Sequence, residues 1–411
     1  TFSDVTDKSM ISDLQSYNTC TDIKTHIHSP TPGAAWVDID GDGLLDLYLS
    51  NFLCWDKATH YIDHVWHNLG DGVFESWTGK NGFYGFKDHP KYTFAGRGVN
   101  PIDYDRDGDM DILVNNYRLH PNLFYRNLGG GKVEPAGEST GLSGKPFTSG
   151  GPKDAYGHSI GTAWGDLDND GDFDVIVANL AHPRFFNFSN KTEVRLNDGK
   201  GNMINKQGDW KKPVGGAGLR YQETHSVPVL GDFNQDGNLD LAISCVYDGR
   251  PTDFYWGKGD GTFTLDAYHA GLTVTNGWGL ATVDLDHDGD LDLSYSGKMF
   301  RNTLAADKKG HWLQVRATGG GKVNRAAIGA TIEVKAGDKT WIRHVDGGGG
   351  QGCQNSQTVH FGLSDKTQVD SVEITWPGAS KTTFKGPFAA DQRLWLNHSG
   401  QVHKGWAPPQ N

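Results

Sequence analysis

Apolar and polar positions alternate along most of this chain in short runs, broken by turns rich in Asp, Asn and Gly. A period of two over short runs is the mark of half-buried strands. Five runs repeat one arrangement: Leu47-Tyr-Leu49, Ile112-Leu-Val114, Val175-Ile-Val177, Leu241-Ala-Ile243 and Leu293-Ser-Tyr295 each follow an acidic block. Small, apolar runs precede the blocks, as in Gly33-Ala-Ala-Trp-Val37 and Gly161-Thr-Ala-Trp-Gly165. After the first four pairs comes a second turn, centred on glycine: Asn68-Leu-Gly-Asp-Gly72, Asn127-Leu-Gly-Gly-Gly131, Asn197-Asp-Gly-Lys-Gly201 and Gly257-Lys-Gly-Asp-Gly261. Strand, acidic hairpin, strand, loop and glycine hairpin make a four-stranded blade, and blades stacked radially make a β-propeller. Beyond Gly310 strand-like runs continue at 312–317, 330–334, 340–345, 358–361, 369–376 and 393–396 without acidic blocks. The expected organisation is a propeller over 1–305, a β-sandwich-like domain over 306–400 packed on it, and a frayed tail over 401–411.

The acidic blocks carry chemistry of their own. They are Asp38-Ile-Asp-Gly-Asp-Gly-Leu-Leu-Asp46, Asp103-Tyr-Asp-Arg-Asp-Gly-Asp-Met-Asp111, Asp166-Leu-Asp-Asn-Asp-Gly-Asp-Phe-Asp174, Asp232-Phe-Asn-Gln-Asp-Gly-Asn-Leu-Asp240 and Asp284-Leu-Asp-His-Asp-Gly-Asp-Leu-Asp292. Their starts lie 65, 63, 66 and 52 residues apart. Oxygens at alternate positions, a glycine for the bend and a closing carboxylate suit Ca²⁺, which takes about six to eight oxygens. An EF-hand would need a glutamate at the twelfth position and flanking helices, but Val177 stands there in a strand-like run. The expected ligands of about five structural Ca²⁺ sites are therefore Asp38, Asp40, Asp42, Leu44 and Asp46 in the first block, and Asp103, Asp105, Asp107, Asp109 and Asp111 in the second. Asp166, Asp168, Asp170, Asp172 and Asp174 serve the third, Asp232, Asn234, Asp236, Asn238 and Asp240 the fourth, and Asp284, Asp286, Asp288, Asp290 and Asp292 the fifth. The fourth, with two Asn for Asp, carries least charge and is expected to bind most weakly.

Composition refines this picture. The 56 glycines among 411 residues are about twice the usual share and favour a turn-rich all-β chain. The formal charge of −12 argues against nucleic acid. Five divalent ions would bring it to about −2. Mean hydropathy is −0.56, and no apolar run is long enough to span a bilayer. The opening Thr1-Phe-Ser-Asp-Val-Thr6 is polar and shows no leader pattern, as a processed secreted chain would also read. Four cysteines allow two disulfides; Cys20–Cys54, flanking the first two strands, is the preferred pair, while Cys245 and Cys353 pair or stay free. Calcium at millimolar levels and possible disulfides point outside the cytoplasm, to a secreted, periplasmic or surface location.

Taken together, the acidic blocks and glycine turns resemble FG-GAP/VCBS-type repeats, the calcium-loop propeller repeats also found in integrin α chains. Gly310-His-Trp-Leu-Gln-Val315, Asn324-Arg-Ala-Ala-Ile-Gly-Ala330, His360-Phe-Gly-Leu363 and Val372-Glu-Ile-Thr-Trp-Pro377 resemble an ASPIC/UnbV domain. With Phe2-Ser-Asp-Val-Thr6, the resemblance extends to the family that includes the cartilage acidic protein group. It implies a calcium-loop β-propeller; a ring of six or seven blades, with seven the expected total, would take those without an acidic block from the N-terminal segment or the long insertions. It also implies that the metal hairpins lie on the bottom face, each joining the innermost strand to the next.

The segments before each inner strand and after each second strand then meet on the opposite, top face. His28, Arg97, His158, His225 and Trp278 hold similar places before the inner strands. His60, His64, Arg118, His120, His182, Arg184 and Arg250 would ring them. A polar lining for a wet channel is the plainer reading of any one of these residues. Taken together, Arg as a fork and Trp as a platform suit an acidic sugar or another carboxylate or phosphate ligand. The first expectation is thus a non-enzymatic, calcium-stabilised propeller binding a glycan or other anionic extracellular ligand. The alternative is a carbohydrate lyase or dehydratase with His158 or His225 as general base and Arg97 against a uronate. A structural role in a surface assembly or filament is the third, and a transition metal on the histidines is a further option. Gly157-His-Ser-Ile-Gly161 matches a nucleophile elbow, but an acidic hairpin follows where that motif needs a helix. Gly347-Gly-Gly-Gly-Gln-Gly352 matches a dinucleotide fingerprint, yet without a helix after it reads as a flexible turn. Neither the oligomeric state nor the ligand's identity is legible in the sequence.

Overall fold

A computed structural model describes residues 9, 33–54, 59–60, 62–84, 94–147, 154–180, 187–208, 216–266 and 269–409. His28, His182, Arg184 and Cys20, and the side chains of His60 and Cys54, lie outside the described residues.

Four antiparallel four-stranded sheets follow one another in the expected order. Blade 1 is Gly33–Val37, Asp46–Ser50, His64–Asn68 and Phe74–Ser76, and blade 2 is Ala95–Ile102, Asp111–Tyr117, Leu123–Asn127 and Val133–Pro135. Blade 3 is Ser159–Gly165, Asp174–Asn179, Glu193–Asn197 and Met203–Asn205, and blade 4 is His225–Gly231, Asp240–Cys245, Asp253–Gly257 and Phe263–Leu265. Blade 5 has three strands, Leu280–Val283, Asp292–Tyr295 and Lys298–Phe300. Among the described residues the count stops at these five, and the two further blades expected are not found there.

First strands of successive blades touch one another, so they line the axis, and the acidic hairpins all leave from their same end. Second strands are covered on both faces by neighbouring blades. Asp174–Asn179 is buried at every position, which explains its unbroken Val-Ile-Val run. Each such side chain contributes roughly 1.5–3 kcal/mol through burial. The fourth position of a block takes the left-handed conformation: φ is 59° at Arg106, 59° at Asn169, 61° at Gln235 and 64° at His287. From there three of these side chains reach the neighbouring hairpin. Arg106 Nη1 donates to Gly171 O (2.9 Å), Asn169 Nδ2 to Asn238 Oδ1 (2.9 Å) and Gln235 Nε2 to Asp290 Oδ1 (2.8 Å).

The C-terminal domain is a sandwich of two four-stranded sheets around one core. One sheet holds His311–Thr318 between Thr358–Ser364 and Gln392–Asn397, with Val402–Lys404 at its edge; the other holds Lys339–His344, Thr331–Ala336, Gln368–Thr375 and Lys381–Ala389. It packs on the acidic-hairpin face: Gly310 N donates to Asn234 O and Gly378 N to Gly108 O, and Arg106 pairs with Glu333. The expected frayed tail is ordered through 406, because Val402–Lys404 pairs with 394–396 and Trp406 stacks on His287 of the fifth hairpin (4.4 Å, 6°).

The glycine run is not a free turn. Residues 346–356 form a hairpin that rises from the C-terminal domain along the propeller axis. Trp36 N of blade 1 donates to Gly347 O (3.2 Å), Val99 of blade 2 bridges Gly350, and Leu280 N of blade 5 donates to Cys353 Sγ (3.2 Å). On the way back Ser356 N donates to Thr282 O. Asn355 Nδ2 donates to Asp346 Oδ2 (3.0 Å) and ties the two legs together. Glycine is required at 347 by the close approach, since a Cβ there would stand 2.1 Å from Trp36 O, and at 350 by the backbone, whose φ of 116° other residues rarely adopt.

Candidate functional site

In the acidic hairpins, carboxylate oxygens converge. Asp166, Asp168 and Asp174 bring theirs within 4.8 Å of one another, as do Asp38, Asp40 and Asp42; Asp103, Asp105 and Asp107; and Asp284, Asp286 and Asp292. Asp103 Oδ1, Asp105 Oδ1, Asp166 Oδ2 and Asp168 Oδ1 are buried without a hydrogen-bond donor. Burial raises the carboxyls of Asp38, Asp103 and Asp232 to about 7, of Asp166 to about 6 and of Asp174 to about 8. Buried anionic oxygens lacking donors at this spacing fit a hard divalent cation.

The ninth aspartate also has a second task. In each block one of its oxygens accepts from the backbone of the block's second residue and the other from the end of the third strand or its turn. For Asp174 these donors are Leu167 N (2.7 Å) and Asn197 N (2.8 Å), and for Asp111 they are Tyr104 N (3.2 Å) and Asn127 N (2.8 Å). What this carboxylate can offer an ion is its remaining lone pairs.

The fourth hairpin differs. Asn234 Nδ2 donates to Asp236 Oδ2 (3.0 Å), and the buried Arg343 of the C-terminal domain interacts with both Asp232 and Asp166. One residue the sequence reading passed over is His67, whose Nδ1 lies 3.0 Å from Asp46 Oδ1 while its ring stacks on Trp77. It groups with Asp40 and Asp46 as a possible ligand set. Its signal was its place before Asn68, where the other blades carry Arg126, Leu196 and Trp256.

At the opposite end of the axis, Arg97 is the centre. Its guanidinium lies 3.9 Å from the Phe52 ring, 5.0 Å from Tyr117 and 5.7 Å from Trp278. Nη1 donates to Gln351 Oε1 (2.9 Å) at the tip of the axial hairpin, where Gly352 and Gln354 are exposed. Among the described residues Nε has no hydrogen-bond partner, and no carboxylate forms a salt bridge with Arg97. Burial lowers its pKa to about 10, which leaves it charged at neutral pH. Trp278 is 40% exposed beside it.

The other expected rim residues divide. His158 is buried with its ring edge-on to Tyr117 (4.7 Å), the same ring that the Arg97 guanidinium faces. Arg118 is exposed, and His120 Nδ1 accepts from Ala95 N (3.2 Å). Arg250 pairs with Glu223 (2.5 Å), which spends its charge locally. His64 is not a rim residue: it lies buried in the third strand of blade 1 against Trp66, and burial lowers its pKa.

His225 is a correction of substance. It is 0% exposed, with Nδ1 2.9 Å from Thr192 Oγ1 and Nε2 3.2 Å from Asp253 Oδ2. Asp253 also accepts from Arg220 Nε (3.0 Å) and Tyr255 Oη (3.0 Å). Burial opposes its charge, but the bonds from His225 and Arg220 prevail and hold its carboxyl below the ordinary value. Both nitrogens of His225 are engaged inside the wall between blades 3 and 4, so it is in no position to act as general base. Ser159 is likewise sealed in the sheet, accepting from Asn115 Nδ2 (2.8 Å).

Cys245 and Cys353 are both free thiols. Burial pushes them up to about 12 and about 11, so neither is a ready nucleophile. Cys353 does reach the top face, by way of the axis and not by the domain folding over the rim. At the base of the axis lies a cavity of about 100 Å³ with a mixed polar and apolar lining that includes Asn100, Trp164, Arg343, Leu239 and His360.

Comparison with known proteins agrees with this architecture. The FG-GAP-like repeat matches residues 38–114, 103–177, 166–243 and 232–294, and the ASPIC and UnbV description matches 320–403. Cartilage acidic protein 1 of Xenopus tropicalis is 26% identical over 364 residues, covering 84% of this chain and 51% of its own. The Homo sapiens protein of the same name is 26% identical over 303 residues, covering 70% and 41%. The chain thus spans about half the length, or less, of these curated relatives. Among solved structures, a lectin of Agrocybe aegerita that recognises non-reducing terminal N-acetylglucosamine aligns over 66% of each chain, at TM-score 0.38 and 19% identity. The biofilm matrix protein Bap1 of V. cholerae aligns over 95% of this chain and 63% of its own, at 0.31 and 11%. Likenesses that distant carry no weight for ligand or fold. With four overlapping repeat matches across the blades and a matched domain behind them, the chain belongs to the FG-GAP-like repeat family and carries a C-terminal ASPIC and UnbV domain.

Proposed function

We propose that this chain is an extracytoplasmic propeller, clamped by Ca²⁺ in its bottom hairpins, that binds an anionic glycan or another anionic extracellular ligand at the top of its axis. The observation that carries this reading is Arg97, a half-buried cation among Phe52, Tyr117 and Trp278 with no carboxylate partner among the described residues. A fixed guanidinium takes carboxylate or phosphate bidentately, and an exposed indole offers a sugar a stacking face. The hairpin carboxylates support calcium by their geometry and raised pKa values, and an extracellular supply of the ion suits sites of this kind.

The test is a screen of acidic and neutral glycans against the calcium-loaded protein, followed by calorimetry with Arg97→Ala and Trp278→Ala. Loss of a charge-assisted hydrogen-bond pair should weaken an anionic ligand by about 10–100-fold in Arg97→Ala. A ligand bound equally by wild type and both variants would place recognition elsewhere.

A further inference from the structure

The residue that meets Arg97 comes from another domain and from more than 250 positions along the chain. We infer that Gln351, raised to the top face by the axial hairpin, is a latch on the ligand site: its amide oxygen holds Arg97 in place of a ligand carboxylate, which must displace it to bind. This rests on the anionic-ligand reading above and adds a residue and a mechanism to it.

Three observations support the latch. Gln351 Oε1 accepts from Arg97 Nη1 at 2.9 Å, the position a carboxylate oxygen would take on that fork. The contact is neutral on one side, and Arg97 Nε has no partner among the described residues, so within them the guanidinium is under-satisfied in the latched state. A carboxylate can improve on an amide there, because it brings an opposite charge and a second acceptor oxygen, which lets the guanidinium fork pair bidentately. Lastly, the latch is rigidly delivered but free at its tip. Gly347, Gly348 and Gly350 are wedged against Trp36, Ala34 and Val227, while Gly352 and Gln354, which follow Gln351 in the chain, are exposed. The hairpin can therefore release one side chain without leaving the axis.

The consequence is selectivity by displacement. Ligands with a carboxylate exchange one partner of Arg97 for a better one, whereas neutral sugars cannot, and must bind with the latch closed. The C-terminal domain, docked on the far face, thereby sets the threshold for binding on the near one.

The test uses the full chain with two probes, trigalacturonate and its neutral methyl ester, and measures Kd by calorimetry. Gln351→Ala removes the competitor and should bind trigalacturonate about 2–10-fold more tightly than wild type. Gln351→Glu installs a permanent carboxylate against Arg97 and should weaken it by about 10-fold or more. Neither change should alter the ester's binding. If Arg97→Ala abolishes trigalacturonate binding but Gln351→Ala weakens it or leaves it unchanged, the latch is wrong and the Arg97 site stands. If Gln351→Ala takes no trigalacturonate while another glycan binds in an Arg97-dependent way, the latch again falls alone. If no glycan depends on Arg97 at all, the proposed function falls with it.

Discussion

If the acidic hairpins hold divalent ions as proposed, removing those ions leaves the hairpin carboxyls to hold protons or repel one another. The unfolded chain ionises its aspartates near 3.8, whereas folding raises Asp38, Asp103 and Asp232 to about 7 and Asp166 to about 6, mainly through burial. One pKa unit corresponds to about 1.4 kcal/mol, so ionising Asp38 in the ion-free fold costs about 4 kcal/mol. Several such hairpins together rival the ~5–15 kcal/mol that holds a typical domain folded. Because the folded-state values are raised, the ion-free fold binds more protons than the unfolded chain. Its stability is greatest below about pH 4 with respect to these groups and falls as pH rises through about 7. Calcium bound in the hairpins as proposed would reverse the sign, since an ion that binds the ionised carboxylates stabilises the fold that holds it. Thermal melts should therefore show the metal-stripped protein melting lower at about pH 8 than at about pH 5, by roughly 10 °C or more. The calcium-loaded protein should lose this penalty. Parallel pH profiles with and without calcium would refute the assignment of the acidic hairpins as ion clamps.

Two further outcomes follow from packing. His225→Ala leaves Asp253 buried with fewer donors, and should lower the unfolding free energy by about 2–4 kcal/mol in urea, while ligand binding at the top face persists; an undisturbed stability with lost binding would restore His225 to the site. Trp406→Ala removes a ring that stacks on His287 and lies 4.2 Å from Arg393, and should cost about 1–2 kcal/mol and free the tail to early proteolysis; an unchanged cleavage pattern would show that the tail is held without it.

The parts of this molecule that could be read from its sequence are those whose cause is local. An acidic block contains its own bend, donors and closing carboxylate within nine positions, so five copies announced five hairpins, and the strands on either side followed. Ranking His225 with His158 failed because the shared His-Ser frame reports only the start of an inner strand. Whether the ring points to the axis or into the wall depends on Thr192 and Asp253, which belong to other strands. The glycine run had no periodicity to read at all. Its meaning resides in Trp36, Val99 and Leu280, each far away in the chain, and in the width of the axis they enclose. Arg97 was legible as a cation at the top of the axis; its partner Gln351 was not.

Asparagines at the ends of the third strands give the stack a direction. Asn127 Nδ2 donates to Ile39 O of the first acidic block (2.7 Å), Asn197 to Tyr104 O of the second (3.1 Å) and Asn302 to Phe233 O of the fourth (2.8 Å). In blade 4, where Gly257 replaces the asparagine, Gly261 N reaches Leu167 O of the third (3.0 Å). Each blade thus finishes the hairpin of the blade before it. The fifth hairpin is finished by the sandwich domain: Gln314 donates to Asp284 Oδ2 (2.6 Å), and His360 lies 2.9 Å from Gly289 O. In a polymer of like units each lending its end to its predecessor, the last unit needs a terminator. The C-terminal domain fills that role, so the propeller cut free of it would carry one unfinished, acidic turn as its weakest point.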